Sequence, residues 1–133
     1  MKKQTKIIIL SLFLIIAAIV FLRLFWNDGE DTWIKDEKGV YVKHGNPNNT
    51  PDYVQEQQTA IEESSRIYTL KKSDGINFSS QCLGSTGDYA VDIVNVPRTT
   101  QDDLIENQCE DYFNGKVGHF IELDKQGNIV RVA

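Results

Sequence analysis

The chain has 133 residues, 41% hydrophobic and 25% charged, with fourteen basic and nineteen acidic side chains and a net charge of −5. This acidic balance argues against nucleic acid or anionic lipid headgroups as partners, because both require a cationic surface. No G-x-G-x-x-G, P-loop or HExxH pattern occurs, which removes the commonest nucleotide-binding and zinc-hydrolase chemistries.

From Ile7 to Leu22 the chain reads IIILSLFLIIAAIVFL, with Ser11 its one polar side chain. Extended to Trp26, the run spans roughly 30 Å at about 1.5 Å per residue, the thickness of a bilayer's hydrocarbon core. Lys2, Lys3 and Lys6 precede it, and Asp28, Glu30 and Asp31 follow it. The basic flank stays cytoplasmic, so the remainder is expected outside the membrane. Arg23 can snorkel to the headgroups, and Trp26 suits the interface. The alternative is a cleaved signal peptide and a secreted product. Its apolar region would be about 7–15 residues long and end in a small-x-small site, whereas Ala17 and Ala18 are followed by Ile19, Val20 and Phe21. Residues 1–26 are therefore read as a cytoplasmic stub and transmembrane anchor, meeting the lipid bilayer through residues 7–26.

The remaining residues, 27–133, keep ten of the fourteen basic side chains and all nineteen acidic ones, a net charge of −9. They suffice for one small domain. Both cysteines, Cys82 and Cys109, lie here. An even count in an oxidising compartment reads as one disulfide, worth roughly 3–4 kcal/mol by chain entropy. A reactive thiol would need a neighbouring histidine and a reducing setting. Zinc would need further ligands at metal spacing.

In chain order, Asn27–Thr32 reads as a polar tether; its carboxylates lack the register and closing glutamate of a calcium loop. Thr32–Lys43 predicts a β-hairpin with its turn at Asp36–Gly39, and His44–Pro51 a linker, so 27–51 forms a tether with hairpin. Asp52–Lys72 is the principal helix, with Lys71 and Lys72 at its dipole-favoured end. Its apolar stripe is thin: Val54, Ala60, Ile61, Ile67, Tyr68 and Leu70. Asn77–Gly87 reads as an irregular loop pinned by the disulfide. Ser79 and Ser80 lack a GxSxG elbow. Asp88–Val96 is a strand with apolar residues on both faces, hence interior, and Pro97 ends it. A short helix is predicted from about Asp103 to Phe113, stopped by Gly115. Lys116–Asp124 and Asn128–Val132 form a hairpin around Lys125-Gln126-Gly127, with Val117, His119, Ile121 and Leu123 on one face.

The run Trp33 … Val42-Lys43-His44-Gly45-Asn46-Pro47 resembles an element of a family of small exported or membrane-anchored bacterial proteins. Glu106-Asn107-Gln108-Cys109, with His119-Phe120-Ile121-Glu122-Leu123-Asp124 and Gly127-Asn128-Ile129-Val130-Arg131, is similar to the ends of the same proteins. The resemblance implies export and a paired cysteine, and it carries no activity and no assigned site.

The polar residues that can converge are Asp88, Asp92, Arg98, Asp103, Glu106, His119 and Glu122. A carboxylate beside His119 would tune it as a general base, and Arg98 could grip a carboxylate or phosphate. Against this, a histidine in a row of Val117, Ile121 and Leu123 is usually structural, and Glu122 points away from it on an ideal strand. Arg98 with Asp102 or Asp103 reads most simply as a loop-ordering ion pair. The expected candidate cluster is thus Asp92, Arg98, Asp103, Glu106 and His119, with the disulfide Cys82–Cys109 and neither metal nor cofactor. The expected fold is α+β: a transmembrane helix followed by a small antiparallel sheet of 88–96, 116–124 and 128–133, packed with one long and one short helix in a domain over 52–133. The expected function is a non-catalytic binding or structural module with an envelope protein partner. The alternative is a small extracytoplasmic hydrolase using His119 with Asp92, Asp103 or Glu106.

Overall fold

The computed structural model describes residues 2–25 and 31–133, with side chains described for 7–22 and 31–133. The flanking charges Lys2, Lys3, Lys6 and Arg23, the interfacial Trp26, and Asp28 and Glu30 of the tether lie outside the described side chains. Helix α1 runs Lys2–Phe25. Among the described residues no helix is long and apolar enough to cross a membrane. The apolar run with described side chains, 7–22, rises about 24 Å, short of the roughly 30 Å of hydrocarbon. The complete span expected over 7–26 is therefore not met within the described residues.

Beyond α1 the architecture is α+β. Strands β1 (Thr32–Lys35) and β2 (Tyr41–His44) form the expected hairpin as a two-stranded sheet of their own. Helix α2 spans Asp52–Ser73, followed by β3 (Gln81–Thr86) and β4 (Tyr89–Ile93). Two 3-10 turns (Thr100–Asp103 and Ile105–Asn107) and a one-turn helix α3 (Glu110–Phe113) lead to β5 (His119–Leu123) and β6 (Ile129–Val132).

The main sheet runs β3-β4-β5-β6, and it is mixed, not antiparallel. β3–β4 and β5–β6 are antiparallel pairs, whereas β4 and β5 run parallel, with Asp92 opposite Glu122. Parallel neighbours need a connection of about a dozen residues or more to return the chain to the same end, and residues 94–118 supply it by crossing one face. The stretch expected as a loop, 77–87, contains edge strand β3, which bulges between Cys82 and Gly84. The helix expected over 103–113 is broken into the second 3-10 turn and α3, because Leu104 and Gln108 take extended backbone angles.

One sheet face packs on α2. Val54, Gln57, Ala60, Ser64 and Tyr68 are the buried residues of that helix, at the three-and-four spacing of one stripe. Of these, Ala60 and Tyr68 join Leu83, Tyr89, Val91, Ile93, Ile121, Leu123 and Val132 in one apolar cluster. The Tyr68 hydroxyl donates to the Lys125 carbonyl at 3.0 Å, fastening α2 to the β5–β6 turn. On the opposite face, Cys109 and Val117 of the crossover pack on Ala90 of β4 and Phe120 of β5. Val117 thus leaves the row expected with His119, because β5 begins only at His119 and the chain turns at Gly118.

The β1–β2 hairpin is held to both the helix and the sheet. Gln57 accepts from the Tyr41 amide at 2.7 Å and donates to the Gly39 carbonyl at 3.0 Å. The Val132 amide donates to the Lys38 carbonyl at 2.7 Å. Gly39 has φ +83°, and a Cβ there would collide with the Val132 carbonyl, so only glycine fits.

Candidate functional site

The sheet divides the expected cluster between its two faces. His119 opens β5 on the α2 side, opposite Tyr89, and its ring stacks on Tyr89 at 4.9 Å between centroids. Its carboxylate neighbour is Asp88, 3.7 Å from Nε2, and both side chains are about half exposed or more. Asp88 is itself engaged, since its Oδ1 accepts from the Gly118 amide at 2.7 Å. Close by, between the first half of α2 and the β3–β4 turn, lies a cleft of about 540 Å³ lined by Asp52, Glu56, Thr59, Thr86, Asp88 and Tyr89 among others.

Asp92, Arg98 and Asp103 come together on the other face, around a residue the pattern of apolar positions did not single out. Glu122 is almost fully buried. It receives Arg98 Nη1 at 2.9 Å, Arg131 Nε at 3.0 Å and Arg131 Nη2 at 3.1 Å. Arg98 also grips Asp103 Oδ1 through Nε and Nη2, each at 3.1 Å. Its bond to Glu122, opposed by burial and reinforced by Asp103, raises the guanidinium further above its ordinary range. Arg131 lies opposite Glu122 in the β5–β6 register and covers the Phe120 ring at 4.7 Å. The signal for this cluster was the placement of Glu122 and Arg131 on facing arms of one hairpin, where opposite charges pair across strands. The guanidinium groups are engaged with carboxylates, which makes this a structural network rather than an anion receptor.

Asp102, beside this network, closes a capping box with Thr99 and binds the Asn95 amide group. Burial pushes its carboxyl up, but the Thr99 and Asn95 amides, with the Ser80 hydroxyl, outweigh this and hold it at about 2. Asp92 shows the reverse balance. Burial, with Glu122 nearby, raises its carboxyl to about 6 against the opposing Cys109 amide and Arg98.

The disulfide expected between Cys82 and Cys109 is present. Asp92 faces Cys82 across β3–β4 and accepts from the Cys109 amide at 3.1 Å. Its carboxylate and the two sulfurs lie within 4.8 Å of one another. Because the sulfurs are bonded to each other, they are not thiolate ligands for an ion. Glu106 stays exposed on the rim of a second cleft, apart from His119 and from the arginines. No protein-family model, curated protein or solved structure matches the chain.

Proposed function

We propose that the chain is a binding module held at the outer face of a membrane by its amino-terminal helix, and that it is not a hydrolase. The observation that carries this choice is the division of the sheet. His119 stands on one face with Asp88, whose Oδ2 lies 3.7 Å from Nε2, beyond hydrogen-bond reach, and whose Oδ1 serves the Gly118 amide, while Asp92 and Asp103 stand on the other. A general base needs an orienting carboxylate within hydrogen-bond reach and an open path to substrate. Of the buried acids, Glu122 is saturated by two arginines and Asp102 by the Thr99 and Asn95 amides.

The anchor is supported by α1 itself. Its large apolar side chains from Ile7 to Leu22 are exposed, apolar on all sides, as in a helix whose solvent is hydrocarbon. The Ser11 hydroxyl donates to the Ile8 carbonyl at 2.9 Å, so the one polar side chain of the run is satisfied within the helix. The basic residues before the segment and the acidic ones after it favour an orientation with residues 31–133 outside the cytosol. Binding is supported by the 540 Å³ cleft, whose carboxylates, threonines and aromatic floor suit a polar or cationic segment of an envelope protein.

Two measurements test the reading. After alkaline extraction the full chain is expected to remain with the membrane, and protease added to intact cells is expected to digest residues 31–133. Release into the soluble fraction, or a shielded carboxyl-terminal part, overturns the placement. A photo-crosslinker at Thr59 is expected to capture one envelope protein, with capture lost in Glu56→Lys and absent from a crosslinker at Lys116. Equal capture from both positions overturns the cleft as the binding surface.

A further inference from the structure

We infer that Cys82 and Cys109 are a redox-active pair that exchanges with a cysteine pair of a partner protein, with Asp92 receiving and returning the Cys109 thiol proton. This goes beyond the binding-module reading and stands whether or not α1 is a membrane anchor.

The two sulfurs are unequal. Cys82 is exposed on the edge strand β3, whereas Cys109, in the crossover, is 1% exposed against the sheet. An accessible sulfur can be attacked or can attack, and a buried one can only resolve the mixed disulfide from within. Cys109 Sγ lies 3.3 Å from the Gly84 carbonyl oxygen and 3.4 Å from that of Val91. Two carbonyl oxygens beside a sulfur favour its protonated thiol, so Cys109 needs a proton acceptor before it can act as a nucleophile. Asp92 is in position, with its carboxylate within 4.8 Å of both sulfurs and fixed by the Cys109 amide. The charged groups facing it are Glu122 from β5 and Arg98 from the crossover, backed by Arg131 and Asp103. Burial brings its protonation to about 6, near neutrality, as proton exchange with a thiol requires.

A second cleft, of about 550 Å³, opens beside Cys82, lined by Ile105, Glu106, Gln108 and Phe113 among others. Ile105 and Phe113 are 60% and 58% exposed. Large apolar side chains left in solvent beside an accessible sulfur give an incoming polypeptide a place to dock.

The exchange balances as follows. In the reduced chain the Cys82 thiolate attacks one sulfur of the partner's disulfide, forming a mixed disulfide and releasing one partner thiolate. The Asp92 carboxylate takes the Cys109 proton. The Cys109 sulfur then attacks Cys82, which restores the Cys82–Cys109 bond and releases the second partner thiolate. Two electrons pass to the partner, and its two thiolates take up protons, one of them returned by Asp92 through solvent. In reverse, a partner dithiol reduces the chain.

The test uses the full chain in detergent, reduced with dithiothreitol and followed by alkylation and mass spectrometry. While tryptophan fluorescence stays native, iodoacetamide is expected to label Cys82 at least about tenfold faster than Cys109. Reoxidation by glutathione disulfide is expected to accelerate as pH rises through about 6. In Asp92→Asn the step near 6 is expected to vanish, leaving only the rise set by thiol ionisation at higher pH, with the rate at about pH 7 at least about tenfold lower. Reduction that occurs only on unfolding, equal labelling of the two cysteines, or an unchanged pH profile in a folded Asp92→Asn chain overturns the inference. The labelling ratio is read on the unaltered sequence, so the outcome does not depend on the variant's folding.

Discussion

Gln57, in the second turn of α2, is 1% exposed and spends its amide on the hairpin, accepting from the Tyr41 amide and donating to the Gly39 carbonyl. A buried polar residue on a core-facing stripe is tolerated because both ends of its amide are satisfied. Truncation strands a backbone donor and a backbone acceptor together. Gln57→Ala is expected to destabilise the fold by about 2–3 kcal/mol in urea unfolding, and to speed amide exchange in β1 and β2 more than in β4. Equal protection of the hairpin in the variant would refute its dependence on Gln57.

The two arginines on Glu122 are unequal to it in burial. Arg98 and Arg131 keep 40% and 51% of their side chains in solvent, whereas Glu122 keeps 7%. Removing the acid leaves cations that reach water, and removing the cations leaves an acid that does not. Glu122→Gln is therefore expected to cost about 1 kcal/mol, and the double change Arg98→Met with Arg131→Met about 3 kcal/mol. A reversed order of costs in denaturant titration would show that the network is governed by something other than the buried carboxylate.

Asp102 and Asp92 give opposite dependences on pH. The carboxyl of Asp102, held at about 2, contributes stability that is complete above its unfolded value near 4 and is lost as pH falls through 2. Relative to Asp102→Asn, the natural chain is expected to lose about 2 kcal/mol between pH 4 and pH 2. The carboxyl of Asp92, raised to about 6, favours the fold below pH 4, and that advantage disappears as pH rises through 6. Asp92→Asn is accordingly expected to gain about 2 kcal/mol on the natural chain between pH 4 and pH 7. Thermal unfolding across pH 2–7 resolves both.

Gly39 sits at positive φ against the Val132 carbonyl. Gly39→Ala is expected to cost about 2 kcal/mol, through the left-handed backbone and the displaced β6 contact. Gly75, also at positive φ, has open space around its missing Cβ, so Gly75→Ala is expected to cost only about 1 kcal/mol. Comparing the two midpoints separates collision from backbone preference.

Where chemistry and periodicity agreed, the fold was legible in the sequence. The start of α2, the β1–β2 and β5–β6 hairpins, strand β4 and the disulfide all followed from local pattern. The stripe of α2 looked thin because two of its five buried positions are Gln57 and Ser64, whose polarity is absorbed by hydrogen bonds that no periodicity reveals. β3 is hidden in the sequence because Gln81, Gly84, Ser85 and Thr86 lack the apolar alternation of a strand, and only Leu83 is buried. The parallel pairing of β4 with β5 hung on residues 94–118 crossing the sheet, a long-range choice that the hairpin-rich ending obscured. Arg98 with Asp103 was visible as an ion pair, while Glu122 as their common centre required knowing the strand order.

The Val132–Lys38 bond ties two distant parts of the chain together. β6 is the final strand, yet it supplies the hydrogen bond that secures the first hairpin, and its neighbour β5 cannot settle on β4 until the crossover has passed. The sheet face that covers α2 draws on β3, β4 and β5 through Leu83, Tyr89, Val91, Ile93, Ile121 and Leu123, and β6 adds Val132. Loss of β6 would therefore loosen the hairpin and the sheet together, because one strand serves both.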